Sequence, residues 1–592
     1  MKRISTAILL LLVVACSASG DSSTSSQPLQ VETSSGPVIA QVDTTVAYWR
    51  DIPYAQAPVG ELRWRAPRSM AAPLSQISMR DNIACLQIAS DVGGLPGEGV
   101  VGSEDCLYLD IRAPSETTKV DRLPVMFWIH GGGNTSGYKG YYDFSSLVKS
   151  QQVIVVTINY RLGPFGWFSH PMVQGQAEGL DRSSNFGTLD IIQALKWVQQ
   201  NIGAFGGDAK NITIFGESAG GHNVFALLAS PLSKGLFHKA ISQSGYLETA
   251  SVEEAINADN AYPRMRRSST QLFASMNDAG ELGEVTPESI YQVSGKQLME
   301  RYLELDIAGD IPLTTADGIV IPEGGMLAAL ADESVAKRVP VIAGANRDEV
   351  TLWLSRHRYF VDANYPFTRF FPPRLRIKDP DLYAFWTRIR SEAWKLRGVD
   401  EPLAAMESAG YSDLYAYSFD WDDQEESFFA DFPKLIGAAH GIDIAFVTGS
   451  YTYGPISSYV YPESESREQM RELMMSAWAE FARTGKPEIP IDWPAFSAAD
   501  RNFVHLDVGD ALRISQDSAT MTSLLAEVKR SEQVTDKEIC LLVWDTLTKV
   551  GEPDYATYET WDQGHCAEVD ADAEQAAINA AIIAEHGSTS VL

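Results

Sequence analysis

The stretch of this 592-residue sequence with the clearest chemical meaning is Gly216-Glu217-Ser218-Ala219-Gly220. A serine hydroxyl is a weak nucleophile until a base takes its proton and a carboxylate orients that base. Here the serine follows Asn211 to Phe215, which reads as a strand, and precedes a small-residue and apolar run to Ala229 that reads as a helix ending before Pro231. Strand–turn–helix is the setting of a nucleophile elbow, whose flanking glycines let backbone and helix approach closely. The turn places the hydroxyl at the C-terminal edge of a sheet, where open α/β sheets bind ligands, and the helix N-terminus behind it favours developing negative charge. The chemistry this predicts is acyl transfer through a covalent intermediate.

Such chemistry needs donors for an oxyanion. His130-Gly131-Gly132-Gly133 directly follows the apolar run Val125 to Ile129. A glycine run there can turn its N–H groups into a cavity and, with the N–H of Ala219, hold a tetrahedral oxyanion. His130 itself reads as a brace for the loop. The base must follow the acid, and the acid must follow the serine, when the serine sits on an elbow of this kind. Among nine histidines, His130 and His170 come too early. His222 lies on the elbow helix and reads as packing, and His238 leads into the next strand. His357 follows the acid candidates too closely, His505 lies in a short strand with a structural role, and His565 and His586 are in the tail. His440 remains, in the small-residue loop Gly437-Ala-Ala-His-Gly441. Asn346-Arg347-Asp348-Glu349 follows the strand-like Val339 to Ala343 and offers two carboxylates. The residues alone do not choose between Asp348 and Glu349.

The elements that must position these groups alternate. Val125–Ile129, Val153–Ile158, Asn211–Phe215, Lys239–Gln243 and Val339–Ala343 read as strands, and Thr188–Asn201 and Glu465–Thr484 as amphipathic helices. The alternation predicts an α/β fold with a large, mostly parallel sheet covered on both faces. No repeat of 20 to 50 residues occurs, which excludes a solenoid or propeller.

The formal net charge of -30 and the absence of a basic run exclude nucleic acid as a partner. Lys2 and Arg3 followed by the apolar Ile8 to Val14 read as an export signal, too short to span a bilayer. It ends Val13-Val14-Ala15-Cys16, which resembles a bacterial lipobox with Val in place of the usual Leu. Residues 1–16 are therefore expected to be the export signal and Cys16 the lipidation site. Residues 17–30 would be a Ser-rich tether, 31–550 one catalytic domain, and 551–592 an acidic, Ala-rich tail. The expected location is a bacterial cell envelope, with the membrane reached only through the lipid. Four cysteines remain, and an even number in an exported chain predicts disulfides, locally Cys85–Cys106 and Cys540–Cys566. No Cys-x-x-Cys occurs, so neither a metal site nor a redox motif is expected, and no cofactor.

Ordered motifs from about residue 36 to about 545 carry a family resemblance. They include Ile52-Pro-Tyr-Ala55, Ser103-Glu-Asp-Cys-Leu-Tyr-Leu109, Trp128-Ile-His-Gly-Gly-Gly133, Asn159-Tyr-Arg-Leu-Gly163, Phe215-Gly-Glu-Ser-Ala-Gly-Gly221, Gln243-Ser-Gly245, Asn346-x-Asp-Glu349, His440-Gly441 and Trp478-x-x-Phe481. The chain resembles the type-B carboxylesterases, relatives of the cholinesterases and of bacterial para-nitrobenzyl esterases, which have the α/β-hydrolase fold. The resemblance implies a small-molecule ester substrate, Ser218 as nucleophile, His440 as base and Glu349 as acid. It also implies oxyanion donors at Gly132, Gly133 and Ala219, and a family disulfide at Cys85–Cys106. Arg63 with Glu104 and Arg161 with Asp190 match structural ion pairs. No aromatic residue lies between Leu86 and Asp105, so the tryptophan that stacks on choline in cholinesterases has no counterpart here. The competing readings are an amidase or carbamate hydrolase with the same triad, and a non-catalytic binding protein of the kind that has lost a triad residue.

Overall fold

A computed structural model describes residues 29–80, 83–90, 93–257, 268–305, 314–365 and 373–591. The expected export signal, Cys16 and most of the Ser-rich tether lie outside the described residues.

Eleven strands form one sheet. In chain order they are β1 (Gln41–Val42), β2 (Val46–Pro53), β3 (Tyr108–Pro114), β4 (Leu123–Ile129), β5 (Ile154–Ile158), β6 (Gly207–Glu217), β7 (Lys239–Gln243), β8 (Val341–Asn346), β9 (Leu414–Phe419), β10 (Asn502–Leu506) and β11 (Arg513–Gln516). Across the sheet they run β11-β10-β9-β8-β7-β6-β4-β5-β3-β2-β1. From β10 to β5 the neighbours are parallel. Both flanks are antiparallel: β11 on one side and β3, β2 and β1 on the other. The sheet is thus parallel across its centre and mixed at its flanks, where β2, β3 and β11 carry charged or polar residues among their apolar ones.

Every residue of β5, β7, β8 and β9 is buried, which requires cover on both faces. Part of that cover comes from α1 (Phe186–Asn201), α2 (Ala219–Ala229), α3 (Pro380–Lys395) and α4 (Glu465–Thr484). α4 keeps the bounds read from sequence because both ends are capped. The Ser464 side chain accepts from the Arg467 N–H, and Gly485 closes the helix at φ 84°. Around Trp128, the rings of Tyr142, Phe144 and Phe215 pack at centroid distances of 4.9–5.3 Å, a core directly beneath the elbow strand.

The C-terminal segment folds back on the body. α5 (Asp536–Thr548) and α6 (Ala571–His586) pack together, and Cys540 is bonded to Cys566. The last residues then pair with the chain after β8. The Arg358 N–H donates to the Thr589 carbonyl and the Val591 N–H to the Arg356 carbonyl. Cys85–Cys106 is also formed, so both local pairings expected from the cysteine count are present. Among the described residues no helix is long and apolar enough to cross a membrane.

Candidate active site

β6 continues through Gly216 and Glu217, two residues further than its apolar run suggests, because the ladder on each side persists. Gly216 pairs with Ile129 of β4 and Ser242 of β7, and Glu217 with Gln243. The chain then breaks at Ser218, a non-glycine residue at φ 58°, ψ -123°. Such a conformation costs of order 1–3 kcal/mol and persists only where its surroundings enforce it. Two backbone bonds do so: Ser218 donates to the Gln243 carbonyl, and its own carbonyl accepts from the His222 N–H as the first turn of α2. The flanking glycines are required by contact. A Cβ on Gly220 would lie 2.0 Å from the Ile129 carbonyl oxygen, and one on Gly216 would lie 2.6 Å from the Gly220 carbonyl carbon.

The glycine run follows β4 and lies against this turn. A Cβ on Gly131 would stand 2.8 Å from the Glu217 carbonyl oxygen and 3.1 Å from the Ser218 Cβ. Gly132 and Gly133 both have positive φ, 99° and 61°. Ala219 is the first residue of α2. His130 braces the loop as read from sequence. Its ring stacks on Tyr160 at 4.4 Å, its Nδ1 lies 2.8 Å from the Gly131 carbonyl, and its own carbonyl accepts from the Tyr160 hydroxyl. Burial pushes the His130 imidazole down to about 4, so it stays neutral.

β8 ends at Asn346, three residues beyond the apolar run, and the two neighbouring carboxylates diverge after it. Asp348 accepts from Arg347 and from the Ala438 N–H, which ties down the loop that carries His440. Glu349 is fully buried; its Oε1 accepts from the Asn346 N–H, and its Oε2 lies 2.5 Å from His440 Nδ1. His440 is 5% exposed. Its Nε2 makes no hydrogen bond to a described residue. Glu217 Oε1 lies 3.2 Å from that nitrogen, so the imidazole stands beside the elbow.

Three groups around this imidazole carried no signal in the sequence. Glu217 is an unspecified position of the pentapeptide, and it is 4% exposed. Asp443 is wholly buried and accepts from Gln243 Nε2 at 2.6 Å and Asn346 Nδ2 at 3.3 Å. Trp353 and Trp394 stack on each other and lie 5.1 and 5.0 Å from the His440 ring. Burial alone would depress the imidazole. Glu217 and Glu349 outweigh that and hold His440 up to about 9. Burial raises Glu217 to about 8, opposed by His440 and reinforced by Asp443 and Glu349. Burial likewise lifts Asp443 to about 6. The charge state of each therefore bears on the others.

The other residues singled out in the sequence stand apart from this cluster. Arg161–Asp190 is a buried and Arg63–Glu104 a partly buried two-pronged ion pair in the scaffold. His222 bonds the Thr314 hydroxyl and lies beside the Tyr246 carbonyl. Cys540, His565 and Cys566 have metal-ligand spacing, but both sulfurs are spent in the disulfide.

Comparison with known proteins agrees with this architecture. Residues 27–367 and 399–523 match the model of the carboxylesterase family. Para-nitrobenzyl esterase of Bacillus subtilis is 33% identical over 496 residues, covering 81% of this chain and 94% of that protein. Carboxylesterase 1C of Rattus norvegicus is 31% identical over 560 residues, covering 85% and 94%. Among solved structures, a PNB esterase superposes with a TM-score of 0.64 at 29% identity, covering 84% of this chain and 99% of that one. The Geobacillus stearothermophilus carboxylesterase EST55 superposes with a TM-score of 0.65 at 27% identity, with the same coverage. The fold is the α/β-hydrolase fold.

Proposed function

This chain belongs to the carboxylesterase family and is a carboxylic-ester hydrolase, and from that premise we propose that Ser218 is its nucleophile, His440 its base and Glu349 the carboxylate that orients the base. The observation that carries the assignment is the state of His440. Its Nδ1 is engaged by Glu349 at 2.5 Å, while its Nε2, beside the elbow, has no hydrogen-bond partner among the described residues. That leaves Nε2 to take the Ser218 proton as Oγ attacks the ester carbonyl, and to return it to the leaving alcohol. Water then repeats the sequence on the acyl-enzyme. The N–H groups of Gly132, Gly133 and Ala219 hold the oxyanion. The positive φ of the two glycines and the contact of the glycine loop with Ser218 support that role. The substrate is a small-molecule carboxylic ester.

Ser218→Ala tests the assignment. With p-nitrophenyl butyrate, kcat should fall by roughly 10⁴-fold or more, while the circular dichroism spectrum stays that of the parent. Hydrolysis at an undiminished rate would overturn it. Residues 31–550 act as one catalytic unit in this reading, with 551–592 appended to it. Export through residues 1–16 and lipidation at Cys16 complete it, which mass spectrometry of the mature N-terminus would check.

A further inference from the structure

A Ser–His–Asp chain of hydrogen bonds lies at the far edge of the same sheet, built from residues the esterase reading does not use. Asp420 follows β9 directly, His505 is in β10 and Ser515 is in the edge strand β11. His505 Nδ1 lies 2.6 Å from Asp420 Oδ2, and its Nε2 lies 2.9 Å from Ser515 Oγ. Asp420 is held in place from two further sides. Its Oδ1 accepts from the Ser418 hydroxyl at 2.6 Å, and its N–H donates to the Leu506 carbonyl. His505 cannot turn freely either, because the Phe503 ring lies 4.6 Å from it. The pairing of β10 with β11 sets Phe503 opposite Ser515 and His505 opposite Arg513, which brings Ser515 diagonally onto the imidazole.

The tautomer follows from the partners. A carboxylate can only accept, so Nδ1 carries the hydrogen toward Asp420 and Nε2 is left to accept from the Ser515 hydroxyl. Arg513 is the remaining charged neighbour. Its Nη2 lies 3.1 Å from Nδ1 and 3.7 Å from Asp420 Oδ2. Two donors cannot bond each other, so its effect is a through-space one on the carboxylate. The whole arrangement has the polarity that turns a serine hydroxyl into a nucleophile. It is also open to reagents: Arg513, Ile514 and Gln516 are exposed and Ser515 is half-buried.

We propose that Ser515 is a second reactive serine, activated by the His505–Asp420 pair and modified by activated phosphonyl and acyl electrophiles. Its hydroxyl attacks the phosphorus of an alkyl fluorophosphonate; the new O–P bond forms as the P–F bond breaks, fluoride leaves, and the hydroxyl proton passes to His505 Nε2. Ser515 is flanked by Ile514 and Gln516 on a strand, not by glycines at an elbow, so its reaction is a slow, stoichiometric capture. Loss of one oxyanion donor alone costs roughly 10²–10³ in rate.

The experiment labels the full chain carrying Ser218→Ala with an alkyl fluorophosphonate and locates the adducts by tandem mass spectrometry. Cleavage after Arg513 and Lys529 gives a peptide that holds Ser515 together with Ser518 and Ser523, two serines of the same segment that serve as internal standards. The expected result is an adduct at Ser515 at least tenfold faster than at Ser518 or Ser523, falling to their level in His505→Gln. Should that variant lose its native circular dichroism spectrum, Asp420→Asn is read in the same way. Equal labelling of the three serines, or labelling of Ser515 that His505→Gln and Asp420→Asn leave unchanged, would overturn the proposal and reduce the triplet to a tie between two strands. Measurement at Ser515 itself does not depend on which serine hydrolyses esters.

Discussion

Glu217→Gln removes the charge beside Nε2 of the proposed base while keeping the shape of the side chain, and its effect has a definite sign. In the proposed assignment His440 can take the Ser218 proton only when neutral, and Glu217 favours its charged form from 3.2 Å. At an effective dielectric of about 20, unit charges at that distance attract by about 5 kcal/mol, an upper bound equal to nearly 4 pKa units. Less than this is realised, because burial raises Glu217 to about 8 and it is itself partly protonated as His440 titrates. The variant should therefore carry the acid limb of kcat/KM to lower pH by about one to two units. The assay is hydrolysis of p-nitrophenyl butyrate from about pH 5 to pH 9.5, followed at the isosbestic wavelength of p-nitrophenol. Below the limb, the variant should outpace the parent about tenfold for every pH unit the limb has moved. A limb that stays within about 0.3 pH unit of the parent, or moves upward, would refute the view that Glu217 holds the imidazolium.

Three other perturbations test the scaffold. Gly220→Ala places a methyl group 2.0 Å from the Ile129 carbonyl oxygen, so elbow and β4 must part by more than an ångström. We expect about 1–3 kcal/mol lost in urea unfolding and of order 10²-fold lost in kcat/KM; parent-like values of both would mean that close approach does not hold the elbow. Lys139→Met leaves Asp51 and Asp110 buried without the ammonium that now bonds both at 2.6 and 2.7 Å, and should cost about 3–5 kcal/mol in the same assay, whereas a loss below about 1 kcal/mol would contradict it. Replacing Cys540 and Cys566 by Ser opens a loop of sequence separation 26. Loop entropy predicts about 3.5 kcal/mol of lost stability, seen as a lower Tm with kcat/KM unchanged at 25 °C; a changed kcat/KM would mean that the tail shapes the site.

What the sequence disclosed and what it withheld follow from the range of the interactions. The elbow was legible because its cause is local: an apolar strand, small residues and a helix within about twenty positions, with glycines where carbonyls come within 3 Å. His440 was reachable by order along the chain. The choice between Asp348 and Glu349 was not, because it depends on β8 running on to Asn346 and on the Ala438 N–H claiming Asp348. The cluster of Glu217, Asp443, Trp353 and Trp394 was hidden altogether. Gln243 and Asp443 are 200 positions apart, and only the sheet brings them together. Lys139, Asp51 and Asp110 escaped notice for the same reason, β1 because it has only two residues, and β2 and β3 because charged residues interrupt their apolar positions.

The sheet also explains why both serine clusters sit where they do. Parallel strands deliver their C-terminal ends to one edge, and β4, β6 and β8 there release the glycine loop, Ser218 and the segment bearing Glu349. β9 is the next parallel strand, and Asn346 pairs with its last residue, Phe419, so Asp420 leaves from the same edge. Arg347 stands between the two clusters. It donates to Asp348, which braces the His440 loop, to Asp422, and to the carbonyl of Asp420. Burial and these two carboxylates act on it in opposite directions, and the carboxylates prevail, so it remains charged. A cation held in this way fixes the carboxylates on both sides while belonging to neither relay. Each imidazole has its own carboxylate, 2.5 Å away for His440 and 2.6 Å for His505, so under the proposed assignments the two relays react independently. What separates them is the ground around the serine: Ser218 stands at an elbow against a glycine loop, and Ser515 on an edge strand. Under the proposed assignments the difference in their chemistry is one of oxyanion stabilisation, since each imidazole already has a carboxylate on its Nδ1.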